Sequence, residues 1–123
     1  MKFSRNVVLS IIQEHFEDEV YENTAQCVMN LNSDELEEDF DGLVDYAELD
    51  GIYEIDVTDI EVEENDAVVT VMGMLEVNAS IEMYYHWDRE NHHVGSAEKI
   101  LGFEFSFEVY NGEYEAFHMV YAY

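Results

Sequence analysis

From Val69 to Met83 the chain alternates. Val69, Val71, Leu75, Val77, Ala79, Ile81 and Met83 share one parity; Thr70, Met72, Met74, Glu76, Asn78, Ser80 and Glu82 share the other. A period of two sends each set to one side of an extended strand. The first side is apolar and the second mixed, as in an antiparallel sheet buried on one face only. The run is longer than an ordinary strand, and Gly73 offers a place for it to bend. Such a strand needs something to cover its apolar side. That need constrains the rest of the 123 residues.

The cover comes from the other half of the chain. Before Asp50-Gly51 the apolar spacing is helical, and after it the spacing is that of strands. Ser4 is a natural N-cap for a helix whose stripe is Val8, Ile11, Ile12, His15, Phe16 and Val20. A second helical stretch runs through Ala25, Val28, Met29 and Leu31. Asn32 or Ser33 caps a third, with Leu36, Phe40, Leu43, Val44 and Ala47 on its buried side and Gly51 as its stop.

Beyond Gly51, Ile55 and Val57 share one phase and Ile60 and Val62 the other, which predicts a bulge near Thr58-Asp59. Glu64-Asn65-Asp66 suits a turn, and His86 to Ala97 reads as a polar loop. Phe103, Phe105, Phe107 and Val109 alternate up to Asn111-Gly112, a strong hairpin signal. The last strand starts near Glu113, with Phe117, Met119, Tyr121 and Tyr123 on one face. The expectation is a single α+β domain over residues 1–123. Residues 1–50 form its helical part, with two or three helices, and 51–123 an antiparallel sheet of about four strands.

Charge narrows the function. Thirty Asp and Glu stand against four Lys and Arg, a formal net charge of −26, yet 48% of residues are hydrophobic. That apolar content argues against disorder. The charge argues against direct contact with nucleic acid or anionic membranes, which need a basic face. No apolar run reaches the ~18–20 residues of a membrane-spanning helix. Val7–Ile12 follows Lys2 and Arg5, but it is short, broken by Ser10 and lacks a small-residue cleavage site, so no signal peptide is expected. The lone Cys27 allows no internal disulfide and fits a reducing cytoplasm.

The acids are not spread evenly. No Lys or Arg lies between Arg5 and Arg89, and Asp34 to Asp66 holds 16 acids in 33 residues. The candidate partner-binding residues are Asp34, Glu35, Glu37, Glu38, Asp39, Asp41, Asp45 and Glu48, expected on the third helix. With them go Glu54, Asp56, Asp59, Glu61, Glu63, Glu64 and Asp66, expected on and after the first strand. Strand residues two apart on one face are ~6–7 Å apart. Helical neighbours four apart have Cβ atoms ~5–6 Å apart. Both resemble the spacing of successive phosphates on a nucleic-acid strand. Useful design values of net charge for a small domain are about 2–8, so solubility does not require this excess.

In size and in the acidic segment Asp34 to Asp66, the chain resembles the DNA-mimic proteins that phages and mobile elements use against restriction, CRISPR and other nucleases. Those proteins share no single fold. The resemblance implies a cytoplasmic, non-enzymatic inhibitor without cofactor, whose partner is a basic nucleic-acid-binding protein such as a nuclease or CRISPR effector. An intracellular adaptor or immunity protein with another basic partner is the alternative.

Other patterns compete. Glu37-x-Asp39-x-Asp41-Gly42-x5-Glu48 is similar to an EF-hand calcium loop, though it opens on Glu rather than Asp. His86, Asp88, Glu90, His92 and His93 could hold a transition metal, but their spacing matches no known signature. There is no GxSxG, HExxH or phosphate loop, and Cys27 has no motif around it. With 30 carboxylates, pairing any two as acid and base says little. Tyr84, Tyr85, Trp87, Tyr110, Tyr114, Tyr121 and Tyr123 exceed what one small core usually holds. They suggest a partly exposed patch, for a partner or a homodimer.

Overall fold

The computed structural model describes residues 2–38 and 42–123. Three helices, α1 (Arg5–His15), α2 (Glu17–Met29) and α3 (Ser33–Glu37), precede four strands, β1 (Tyr46–Asn65), β2 (Val68–Trp87), β3 (Glu90–Tyr110) and β4 (Glu113–Tyr121). The strands form one antiparallel sheet in the order β1-β2-β3-β4, a simple meander. The α+β arrangement is the one expected. Among the described residues no helix is long and apolar enough to cross a membrane.

Ser4 caps α1, its Oγ accepting from the Val7 N–H at 3.3 Å. Phe16 breaks the helical run with φ −127° and so separates α1 from α2. Its ring is buried, stacking on Phe117 at 4.7 Å and tilting against Phe107 at 5.5 Å. Glu17, Asp18 and Glu19 fill the first turn of α2, where the helix dipole favours anions. Asn32 and Glu35 form a reciprocal capping box at α3. The Lys99 Nζ donates to the Glu35 carbonyl, tying α3 to β3.

The helices cover one face of the sheet. Val71, Leu75, Val77, Ala79, Ile81 and Met83 of β2 are all fully buried there. Opposite them on β3 lie Phe107, Phe103 and Leu101, also buried. Val8, Ile12, Val20, Val28 and Leu36 close the core from the helical side. Thr24 Oγ1 is buried with no hydrogen-bond partner.

The bulge falls where the change of phase places it. Thr58 pairs with Met74 and Glu61 with Met72, so Asp59 and Ile60 together face Gly73. Asp59 adopts φ 53° to make the extra residue fit. A Cβ on Gly73 would sit 2.8 Å from the Thr58 carbonyl oxygen, so only glycine allows this approach. Asn111-Gly112 turns the β3–β4 hairpin with φ 52° and 79°, as a type I′ turn requires.

Several expectations are corrected. The third helix does not run to Gly51. It ends at Glu37, and Tyr46 already belongs to β1, so the helical part stops short of residue 50. Ala47 is buried as expected, but as a strand residue opposite Met83; Leu43 is 63% exposed, and Phe40 lies outside the described residues. Two causes act together. Like charges four apart weaken a helix, while the 20-residue β2 offers a partner along Tyr46–Asn65 from end to end, broken only at the register shifts. His86 to Ala97 is not a loop. It is a hairpin around Asp88 and Arg89, both at positive φ. Tyr123 does not share a face with Met119 and Tyr121. Backbone bonds to Gly102 carry it across to the other side of the sheet.

Candidate functional site

Among the described residues no helix lies on the second face of the sheet. Residues directly opposite one another in an antiparallel pair share a face, so the register assembles this open face row by row. Tyr46, Tyr84 and His93 form the first row. Glu48, Glu82 and Ser96 form the next, and Ser80 and Glu98 another. Then come Glu54, Asn78 and Ile100; Asp56, Glu76 and Gly102; and Thr58, Met74, Glu104 and Val120. Glu61, Met72, Ser106 and His118 follow. Glu63, Thr70, Glu108 and Glu115 make a further row toward the β1–β2 turn. Every row from Glu48 to Glu63 carries at least one carboxylate. Rows on one face are ~6–7 Å apart along the strands.

Three of these rows place acids directly opposite each other: Glu48 and Glu82, Asp56 and Glu76, Glu108 and Glu115. Like charges in that position destabilise a sheet. In the first two rows a donor holds one or both acids in place. Glu82 accepts from the Ser96 hydroxyl at 2.6 Å and from His93, and these bonds hold its carboxyl below the ordinary range. Asp56 accepts from the Arg5 guanidinium and from the Val57 N–H, with the same effect. Glu76 accepts from the Tyr123 hydroxyl at 2.8 Å, which raises the phenol above its usual value.

Three of the four cations can be placed, and they leave this face acidic. Lys99 lies opposite Ala79 and is therefore on the covered side. Arg5 reaches Asp56 from α1, at the edge of the sheet, and Arg89 sits in the β2–β3 turn.

Apolar groups are exposed among the acids. Ile100 is 59% exposed, Val120 64% and Tyr123 55%. The Tyr123 ring lies over Gly102 and leaves no room there for a Cβ. Tyr46 and Tyr84 stack at 5.2 Å. At the Gly73 bulge the surface dips into a shallow basin of about 450 Å³, lined by Asp59, Glu61, Glu104, Met72, Met74 and His118 among others.

The predicted acidic segment does not form one surface. Glu48, Glu54, Asp56, Glu61 and Glu63 reach the open face. Asp34, Glu35, Glu37 and Glu38 lie on α3, in the helical layer. Asp45 precedes β1 and accepts from the His86 N–H at 2.6 Å. Asp59 occupies the bulge, while Glu64 and Asp66 lie at the β1–β2 hairpin end. Asp39 and Asp41 lie outside the described residues. The segment-based reading missed Glu76, Glu82, Glu98, Glu104, Glu108 and Glu115. For the first five the signal was present, since each lies in the phase opposite to an apolar strand face; Glu115 shares its parity with Phe117 and Met119, and only the irregularity at Ala116 turns it to the open face.

The competing patterns come apart. Glu48 sits near the start of β1 opposite Glu82, where a calcium loop would need it at the start of an exiting helix. His86 bonds Asn91, His92 bonds the Trp87 carbonyl and His93 bonds Glu82, so the three rings have separate partners. Among the described residues no group of three or more His, Cys, Asp or Glu gathers at metal-binding distances. Burial raises the Cys27 thiol to about 11, far from a reactive thiolate. The aromatics are also divided. Tyr114 packs with His15 and Phe107, Tyr121 reaches Glu35, and Trp87 is 65% exposed near the β2–β3 turn. The chain matches no protein-family model, no curated protein and no solved structure.

Proposed function

We propose that this chain is a non-enzymatic binding protein that sets its open sheet face on the basic nucleic-acid-binding surface of a defence nuclease or a similar protein. It acts there as a mimic of the nucleic acid. One observation carries the reading: carboxylates are repeated row by row on a single face, and where they crowd in two of the rows, donors fix them. Tolerating like charges at that spacing costs stability. A cationic groove would remove the cost on binding and would be attracted from a distance. Exposed Ile100, Val120 and Tyr123 supply short-range contact inside the charged field.

The test is capture of partners from a bacterial lysate at low salt, elution with a salt gradient, and competition by added DNA or RNA. Glu61→Gln/Glu76→Gln/Glu104→Gln should weaken capture strongly. Glu14→Gln/Asp18→Asn/Glu22→Gln, which removes the same charge from the helices, should weaken it little. Equal losses, or capture indifferent to salt and nucleic acid, would sink the proposal. Salt-sensitive capture that nucleic acid does not displace would instead indicate an adaptor with another kind of basic partner.

A further inference from the structure

We infer that a second site, on the helix side of the β1 edge, receives an arginine side chain from an extended cationic segment of a partner protein. β1 is an edge strand, with no strand on its outer side among the described residues. Its ladder shifts twice near there, between Leu49 and Gly51 and between Ile52 and Glu54. Beside the second shift a groove of about 490 Å³ opens between β1 and the α1–α2 elbow. Ile12, Val20, Ile52 and Ile55 give it apolar walls. Glu17 and Glu54 line it as the acids, and no Lys or Arg does. Tyr21 and Tyr53 also line it, and they are 44% and 64% exposed.

This combination is selective by chemistry. Apolar walls suit the methylene stem of a long side chain. Carboxylates match the planar donors of a guanidinium, and phenol rings accept its flat face. The same edge already holds one such group. Arg5 places its guanidinium on Asp56, with Glu54 close enough to favour its charge further. A second copy of this chain would bring its own −26 to the contact, so a cationic segment is the occupant that complements it. The site shares only Glu54 with the open-face rows; Glu17, Tyr21 and its apolar walls belong to the helix side, and it does not depend on the mimic reading.

The probe is a capped hexapeptide with one central arginine between valines, titrated at low salt into the full-length chain and followed by amide NMR. Shifts should map to residues 12–21 and 52–55. The lysine version should bind several-fold more weakly, and the norleucine version should not bind. Glu17→Gln/Glu54→Gln should reduce affinity about tenfold or more. The control Glu63→Gln/Glu115→Gln removes equal charge at the far end of the sheet and should reduce it about twofold at most. Tyr53→Ala, at an exposed bulge, should lower affinity without loss of the folded spectrum. Absence of binding, shifts confined to the open face, or equal losses in the two double variants would overturn the inference. A positive result would stand even if no nucleic-acid-binding partner were captured by the open face.

Discussion

The two faces of this sheet obey opposite rules. The covered face is apolar along β2, where Val71, Leu75, Val77, Ala79, Ile81 and Met83 are all fully buried. The open face alternates with it residue for residue, yet it concentrates like charges and exposed Ile100, Val120 and Tyr123 where neutral polar groups would serve stability better. A strand's period of two makes both faces from the same stretch of chain. One face maximises stability. The other gives some of it up, and that is where a functional reading belongs.

The contrast can be broken by mutation. Phe107→Ala on the covered face should cost about 3–5 kcal/mol in denaturant unfolding, because a fully buried ring is lost. Neutralising an open-face acid should cost nothing of that order; if it did, the division of labour proposed here would fail. Gly73→Ala should cost about 1–3 kcal/mol, since its Cβ meets backbone at 2.8 Å. Gly51→Ala, with nothing within 4 Å, serves as the comparison and should cost much less.

Smaller effects sharpen the picture. Thr24→Val removes a buried hydroxyl without a partner and should stabilise by about 1 kcal/mol. Glu108→Gln relieves the direct opposition to Glu115 and should stabilise by roughly 0.2–1 kcal/mol, with the gain shrinking in high salt. The unmodified protein should itself gain thermal stability as sodium chloride is added. Ser96→Ala should let the Glu82 carboxyl rise toward its ordinary value in an NMR titration. Because Glu82 is held low in the folded state, its contribution is present above the ordinary glutamate pKa and is lost as pH falls through the lowered one. Ser96→Ala should therefore flatten the acid side of the stability profile.

Local patterns with strong chemistry were legible in the sequence. Ser4 as a cap, the Asn111-Gly112 turn and the Thr58-Asp59 bulge each follow from a few neighbouring residues. The end of the third helix was not legible, because Ala47 fits a helical stripe with Val44 and a strand face with Leu49 alike. A distant partner, β2, decided between them. The hairpin at Asp88-Arg89 was hidden for a similar reason. Its strands are polar where few apolar groups need cover, so composition alone suggests a loop. For the site, density along the chain was a misleading guide. Asp34 and Glu61 belong to one acidic segment but to different layers. Glu61 and Glu104, 43 positions apart, border the same basin. Pairing register brings them together, and it becomes visible only once the strands are in order.

The meander has a kinetic consequence. Each strand pairs with its neighbour in the chain, and two-residue turns at Asp66-Ala67, Asp88-Arg89 and Asn111-Gly112 join them. No long loop has to close before a hairpin can zip from its turn, which favours rapid assembly for so β-rich a chain. The barrier should then lie less in finding partners than in drawing repelling segments together. Refolding should accordingly quicken when mobile cations are supplied, more than unfolding slows.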